Sequence, residues 1–154
     1  MTAQVGDIIF FNGQKHFLQV EPLKKYFRKI KKRPDFALSD TGCWRGYYAT
    51  WEILDDKLFL IDLKAKLING FNVSVKDIFP NDENKVFAYW FTGSLVIPNG
   101  KMKEYISLGY LTKYEHYIIL ELKDGIVYNT YEKGTEIDTD LIVSELISKE
   151  FFEK

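Results

Sequence analysis

Arg45-Gly46-Tyr47-Tyr48-Ala49-Thr50-Trp51-Glu52-Ile53-Leu54, then Asp55-Asp56, then Lys57 to Leu63, is the stretch whose pattern sets the fold class. Its odd positions, Arg45, Tyr47, Ala49, Trp51 and Ile53, make one core-like face. Its even positions, Gly46, Tyr48, Thr50 and Glu52, make a mixed one. A repeat of two is the side-chain period of a strand. Asp55-Asp56 turns the chain, and Lys57 to Leu63 pairs back. Aromatic and β-branched residues fit a pleated, half-buried surface, so the stretch predicts a β-hairpin.

Toward the N-terminus, Asp7 to Phe11 is β-prone and Asn12-Gly13 follows, a pair that tolerates the positive φ of a tight hairpin. Lys15 to Val20 reads as the returning strand. Pro22 suits the first turn of a helix. Leu23, Tyr26, Phe27 and Ile30 recur at helical spacing, which predicts an amphipathic helix over residues 22–32, stopped by Pro34. Residues 35–43 read as loop.

Toward the C-terminus, Asn69-Gly70 marks a turn and Ser74 caps a short helical turn ending at Phe79. Lys85 to Phe91 is aromatic on both faces, which predicts a central strand covered on both sides. Gly93 breaks it, Leu95 to Ile97 continues it, and Pro98-Asn99-Gly100 reads as a hairpin turn before Lys101 to Ser107. Glu115 to Lys123, Asp124-Gly125 and Ile126 to Tyr131 predict a further hairpin. Asp138 or Thr139 caps a last helix with the apolar stripe Leu141, Ile142, Leu146, Ile147 and Phe151.

These elements predict one α+β domain over residues 1–154, mainly β. The expected architecture is an antiparallel sheet or half-barrel of about seven or eight strands, with the early helix and the C-terminal helix packed on it. Trp51 and Trp90 are expected in the core.

Composition narrows the function classes. The chain has 154 residues, 46% hydrophobic and 28% charged, with a formal net charge of −1. That balance excludes wholesale disorder and argues against a general nucleic-acid or membrane-surface binder. No apolar run approaches a membrane span, and the N-terminus lacks the basic start and apolar core of a secretory signal. Cys43 is the single cysteine, so no internal disulfide forms, and a reducing, cytoplasmic setting is expected. With only His16 and His116 besides, no metal site and no cofactor are expected. Nucleotide-loop, dinucleotide and serine-elbow motifs are absent.

Two aromatic segments carry the candidate binding residues. In the first, Trp44, Arg45, Tyr48 and Glu52 stand within nine residues, and Arg45 is one of three Arg against 18 Lys. Its planar fork can stack on rings and grip a carboxylate through two parallel hydrogen bonds. It is either a ligand anchor or half of an internal ion pair. Glu52 falls on the other strand face, so Glu104 or Glu115 is the expected partner. The second segment, residues 105–116, contributes Tyr110, Tyr114 and Glu115. Glu52, Glu104 and Glu115 are also the acids that a glycosidase-like pair would draw on. The run 24–33 holds seven cations and no acid. It reads as a solvated helix face or as a patch for an acidic partner or nucleic acid, and tight nucleic-acid binding is not expected of it.

The segments Trp44-Arg45-Gly46-Tyr47-x-Ala49-Thr50-Trp51-Glu52-Ile53, Phe87-Ala88-x-Trp90-Phe91-x-Gly93-x-Leu95 and Gly109-Tyr110-x-x-x-Tyr114-Glu115 resemble a family of small uncharacterised bacterial proteins. The resemblance spans most of residues 5–131. It implies a bacterial source and a shared fold, and it implies no reaction. A His often stands in that family where this chain has Ile106.

The expected function is that of a binding protein, of the immunity or inhibitor kind, which meets another protein through an aromatic and charged surface. The alternative is an enzyme acting on a small molecule or carbohydrate, with its site between residues 44–52 and 105–116. An RNA-binding module built on the basic helix is the third reading.

Overall fold

The computed structural model describes residues 5–38, 43–82, 84–104, 110 and 113–134. Their elements, in chain order, are β1 (Ile8–Phe11), β2 (Gln14–Phe17), α1 (Pro22–Ile30), β3 (Tyr47–Leu54), β4 (Lys57–Lys66), β5 (Asn72–Val73), α2 (Val75–Ile78), β6 (Val86–Phe87), β7 (Gly93–Glu104), β8 (Lys113–Lys123) and β9 (Ile126–Gly134). The expected C-terminal helix, and the expected strand beyond Glu104, lie outside the described residues.

The strands form one open, mixed sheet in the order β2-β1-β3-β4-β9-β8-β7, with β5 and β6 also paired to β4. The hairpins at Asn12-Gly13, Asp55-Asp56 and Asp124-Gly125 stand where the turn chemistry places them. Asn12, Asp55, Asp56 and Asp124 take the positive φ that such tight turns require.

The sheet is not wholly antiparallel. β1 runs parallel to β3, with Ile8 opposite Thr50 and Ile9 opposite Trp51. Its two edges also approach each other, because Gln19 N, just beyond β2, donates to Val96 O in β7 at 2.9 Å. The middle of the sheet is thin. β4 and β9 share the register pair Lys57–Ile126, reinforced by Leu58 N to Gly125 O at 2.9 Å and Val127 N to Asp56 O at 2.7 Å. Two hairpin tips therefore clasp one another to join the halves.

Residues 85–91 depart from the expected central strand. Only Val86–Phe87 pairs, against Leu60 and Phe59, and residues 89 and 90 form a turn. Nor is the segment covered on both sides, since Val86, Ala88 and Trp90 are buried whereas Phe87 is half-buried and Tyr89 exposed. Trp90 is buried, donates its indole N–H to Pro22 O at 2.9 Å and stacks on Phe79. Pro98-Asn99-Gly100 is likewise no hairpin turn. β7 runs through it against β8 with shifts of register, and Gly100 supplies the positive φ of that irregularity.

α1 begins at Pro22 and ends at Ile30, and the left-handed backbone of Lys31 caps its last turn. Leu23 and Phe27 are buried under it, whereas Ile30, expected to face inward, is exposed. Trp51, Tyr47, Phe91, Leu58, Leu60, Leu95 and Leu120 form the heart of the core.

Candidate functional site

The parallel register of β1 and β3 sets Asp7, one residue before β1, beside Ala49. The Asp7 carboxylate is fully buried there, takes three hydrogen bonds and pairs with the Arg45 charge. The donors are Arg45 Nε at 2.9 Å, Trp51 Nε1 at 3.0 Å and Ala49 N at 3.3 Å, while Arg45 Nη2 lies 2.8 Å from Oδ1 without a hydrogen bond of its own. Arg45 is brought in by the turn before β3, where Gly46 at φ +78 packs against Phe36; a Cβ at Gly46 would stand 2.8 Å from the Phe36 Cβ.

The Arg45 guanidinium also donates from Nη1 to Val5 O at 2.7 Å and lies over the rings of Tyr47 and Tyr48. Tyr110 stands 3.5 Å from the same Nη1 and donates its hydroxyl to Glu21 Oε2 at 3.1 Å. Asp7, Arg45, Tyr47 and Trp51 thus make one buried polar cluster, flanked by the half-buried Glu21 and Tyr110.

Burial pushes the Asp7 and Glu21 carboxyls above their ordinary values, against the pull of the Arg45 charge. Burial works to lower Arg45, but Asp7, and after it Tyr110 and Glu21, together outweigh that and raise it. Burial holds the Tyr47 and Tyr110 hydroxyls far above 10.0, so both stay neutral. The Tyr47 hydroxyl has no hydrogen-bond partner among the described residues.

Chemically this cluster is a clamp. The Asp7 oxygens are engaged by donors of the chain itself, and the ion pair leaves no open face for a substrate. Arg45 therefore pairs with Asp7, and not with Glu115 as expected; the Glu104 side chain lies outside the described residues. Glu115 Oε1 instead accepts from Lys101 N at 3.0 Å.

The other expected binding residues do not converge. Tyr48 and Tyr110 join the Arg45 cluster, and Trp44 stands exposed on its rim. Glu52 pairs with Lys85 on the outer side of β3. Tyr114 sits edge-on to Tyr117 at the start of β8. The reading of the sequence missed Asp7 and Glu21, whose only signal is an acid directly before a strand and directly before a helix.

A second concavity lies elsewhere, between α1, α2 and β6. It is a cleft of ≈ 410 Å³ lined by Tyr26, Ile78, Phe79, Pro80, Asn81, Asp82, Val86, Phe87 and Tyr89. Lys29 Nζ lies 4.5 Å from the centroid of the Tyr89 ring and Lys57 Nζ 6.0 Å from that of Phe87. Among the described residues, no group of three His, Cys, Asp or Glu side chains could hold a metal ion, and no helix is long and apolar enough to cross a membrane.

Comparison with protein-family models, with curated proteins and with solved structures returned no match.

Proposed function

We propose that this protein acts by binding another protein, in the manner of an inhibitor or immunity protein, through the end of the molecule where β4 leads into β5. One observation carries the reading. Of the four most exposed large apolar side chains among the described residues, three are Ile68, Phe71 and Leu38, at 75%, 71% and 62% exposure. Ile68 and Phe71 flank the Asn69-Gly70 turn, and the segment bearing Leu38 is hydrogen-bonded to its base through Ala37 N to Lys66 O and Ile68 N to Asp35 O. Exposed apolar side chains gathered at one end of a molecule are the mark of an interaction surface.

Trp44 belongs to the same end, because Gly46 packs on Phe36 and Ala37. Arg33 reaches it as well, lying over the Phe36 ring and donating to Arg45 O. Aromatic and Arg side chains at the centre of an apolar patch are the usual anchors of a protein interface. Lys64 and Lys66 add exposed positive charge, so the partner's matching surface is acidic.

The test is affinity capture from a lysate of the source organism with the wild type, Ile68→Ser/Phe71→Ser and Tyr128→Ser. The reading expects a partner that the wild type and Tyr128→Ser retain and that the double variant loses at an unchanged melting temperature. Equal capture by all three proteins would rule this surface out.

A further inference from the structure

We propose that the cleft between α1, α2 and β6 binds a free mononucleotide. This goes beyond the protein-binding surface, which shares no residue with the cleft. Three properties of the lining point to a ligand with a flat ring, polar ring edges and an anionic group.

The first is the stack of rings. Tyr26, Phe79, Phe87 and Tyr89 line the cleft. Tyr26 lies 4.6 Å from Phe79 and 4.8 Å from Trp90, and Trp90 lies 5.5 Å from both Phe79 and Tyr89. Tyr26 and Phe79 thus meet ring to ring in the wall, Trp90 backs them and Tyr89 from the core, and Tyr89 is half exposed. Base stacking on such rings tolerates any base, since every base has a π-face.

The second is the set of polar groups. Asn81 and Asp82 line the same cleft, and the Tyr26 hydroxyl is raised by burial first and then by Tyr89 and Asp82 near it. A carboxylate, an amide and phenol hydroxyls offer both donors and acceptors, which a nucleobase edge uses and a purely apolar side chain does not. The third is charge. Lys29 and Lys57 lie over the rings of Tyr89 and Phe87, both of which line the cleft. These two cations offer a phosphate its counter-charge beside the rings.

A volume of ≈ 410 Å³ falls in the range of small-ligand sites, roughly 300–1,000 Å³. One such cleft takes one base, so the ligand is a single nucleotide, in keeping with a net charge of −1 that disfavours a long polyanion.

Isothermal titration calorimetry of the full chain tests this with AMP, GMP, CMP and UMP, with ribose 5-phosphate, with a twelve-residue oligothymidylate, and with the peptide Asp-Glu-Trp-Glu-Asp. The expected result is saturable binding of at least one mononucleotide and none of ribose 5-phosphate. Tyr89→Ala should weaken binding by about tenfold and Tyr89→Phe should preserve it. Lys29→Ala, at an exposed position that leaves the core intact, should weaken binding and reduce the salt slope by about 1. The proposal is overturned if no mononucleotide binds, if ribose 5-phosphate binds as well as the nucleotides, or if Tyr89→Ala and Lys29→Ala both bind like the wild type. Tighter binding of the oligonucleotide, by more than about tenfold, assigns the cleft to a strand, and tighter binding of the peptide assigns it to a protein; either also overturns it.

Discussion

The Arg45 guanidinium and the Asp7 carboxylate form a buried ion pair, with Nη2 2.8 Å and Nε 2.9 Å from the same Oδ1. The two residues lie 38 positions apart in the chain. Their pairing ties the strand that opens the molecule to the strand that crosses its core.

Removing one member of this pair leaves the other as an unpaired buried charge. Arg45→Ala and Asp7→Ala should each lower unfolding stability by about 3–5 kcal/mol. Arg45→Lys should not restore it, because an ammonium cannot reach Asp7 and Val5 O together as the planar fork does. Joint replacement, Asp7→Leu with Arg45→Met, should cost less than the two single losses added. Urea unfolding of the four variants measures this, and additive losses would show that the pair is not coupled.

Trp51 and Trp90 are both buried and both donate an indole hydrogen bond, to Asp7 and to Pro22 O. Truncation of either to Ala should cost about 3–5 kcal/mol. Trp51→Phe should lose a further hydrogen bond to a buried carboxylate, a cost of about 1–3 kcal/mol. Denaturant midpoints decide the matter; a loss below about 1 kcal/mol for either Ala variant would mean that its ring is not a core element.

The Tyr47 hydroxyl is buried with no hydrogen-bond partner among the described residues. Tyr47→Phe should therefore be neutral at pH 7 or stabilising by up to about 1 kcal/mol. The same hydroxyl makes an alkaline prediction. Its folded pKa lies well above the 10.0 of the unfolded chain, so above pH 10 the unfolded state loses a proton that the folded state keeps. Stability must then fall as pH rises past 10, by about 1.4 kcal/mol per pH unit for each such group. Urea titrations between pH 9 and 11 should give a shallower decline for Tyr47→Phe than for the wild type, and identical slopes would contradict the assignment.

Glycine is required at the clasp between the two hairpin tips. A Cβ at Gly125, which has φ +80, would stand 2.5 Å from Ala88 O, whereas one at Gly13, with φ +75, would meet nothing within 4 Å. Gly125→Ala should cost about 2 kcal/mol or more and Gly13→Ala about 1 kcal/mol. Equal melting temperatures for the two variants would argue that Gly125 does not pack on the Ala88 carbonyl.

The local elements were legible in the sequence. Asn12-Gly13, Asp55-Asp56 and Asp124-Gly125 mark hairpins because a tight turn is decided by the φ its own residues tolerate. Pro22 with Leu23 and Phe27 marks α1 because helical periodicity lies within one segment. The same local logic misread Lys85 to Phe91 and Pro98 to Gly100. Aromatic residues on both sides of a segment signalled neither burial on both sides, since Tyr89 is exposed, nor an extended strand, and Gly100 serves a bulge as well as it would a turn. Three things were decided by tertiary structure alone: the parallel pairing of β1 with β3, the choice of Asp7 over Glu115 as the partner of Arg45, and the gathering of Tyr26, Phe79, Phe87 and Tyr89 into one cleft. Each depends on which distant segments share the low-dielectric core, where a buried charge must find its counter-charge and each ring its neighbours. That competition is settled by the packing of the whole chain, and no window of neighbouring residues contains it.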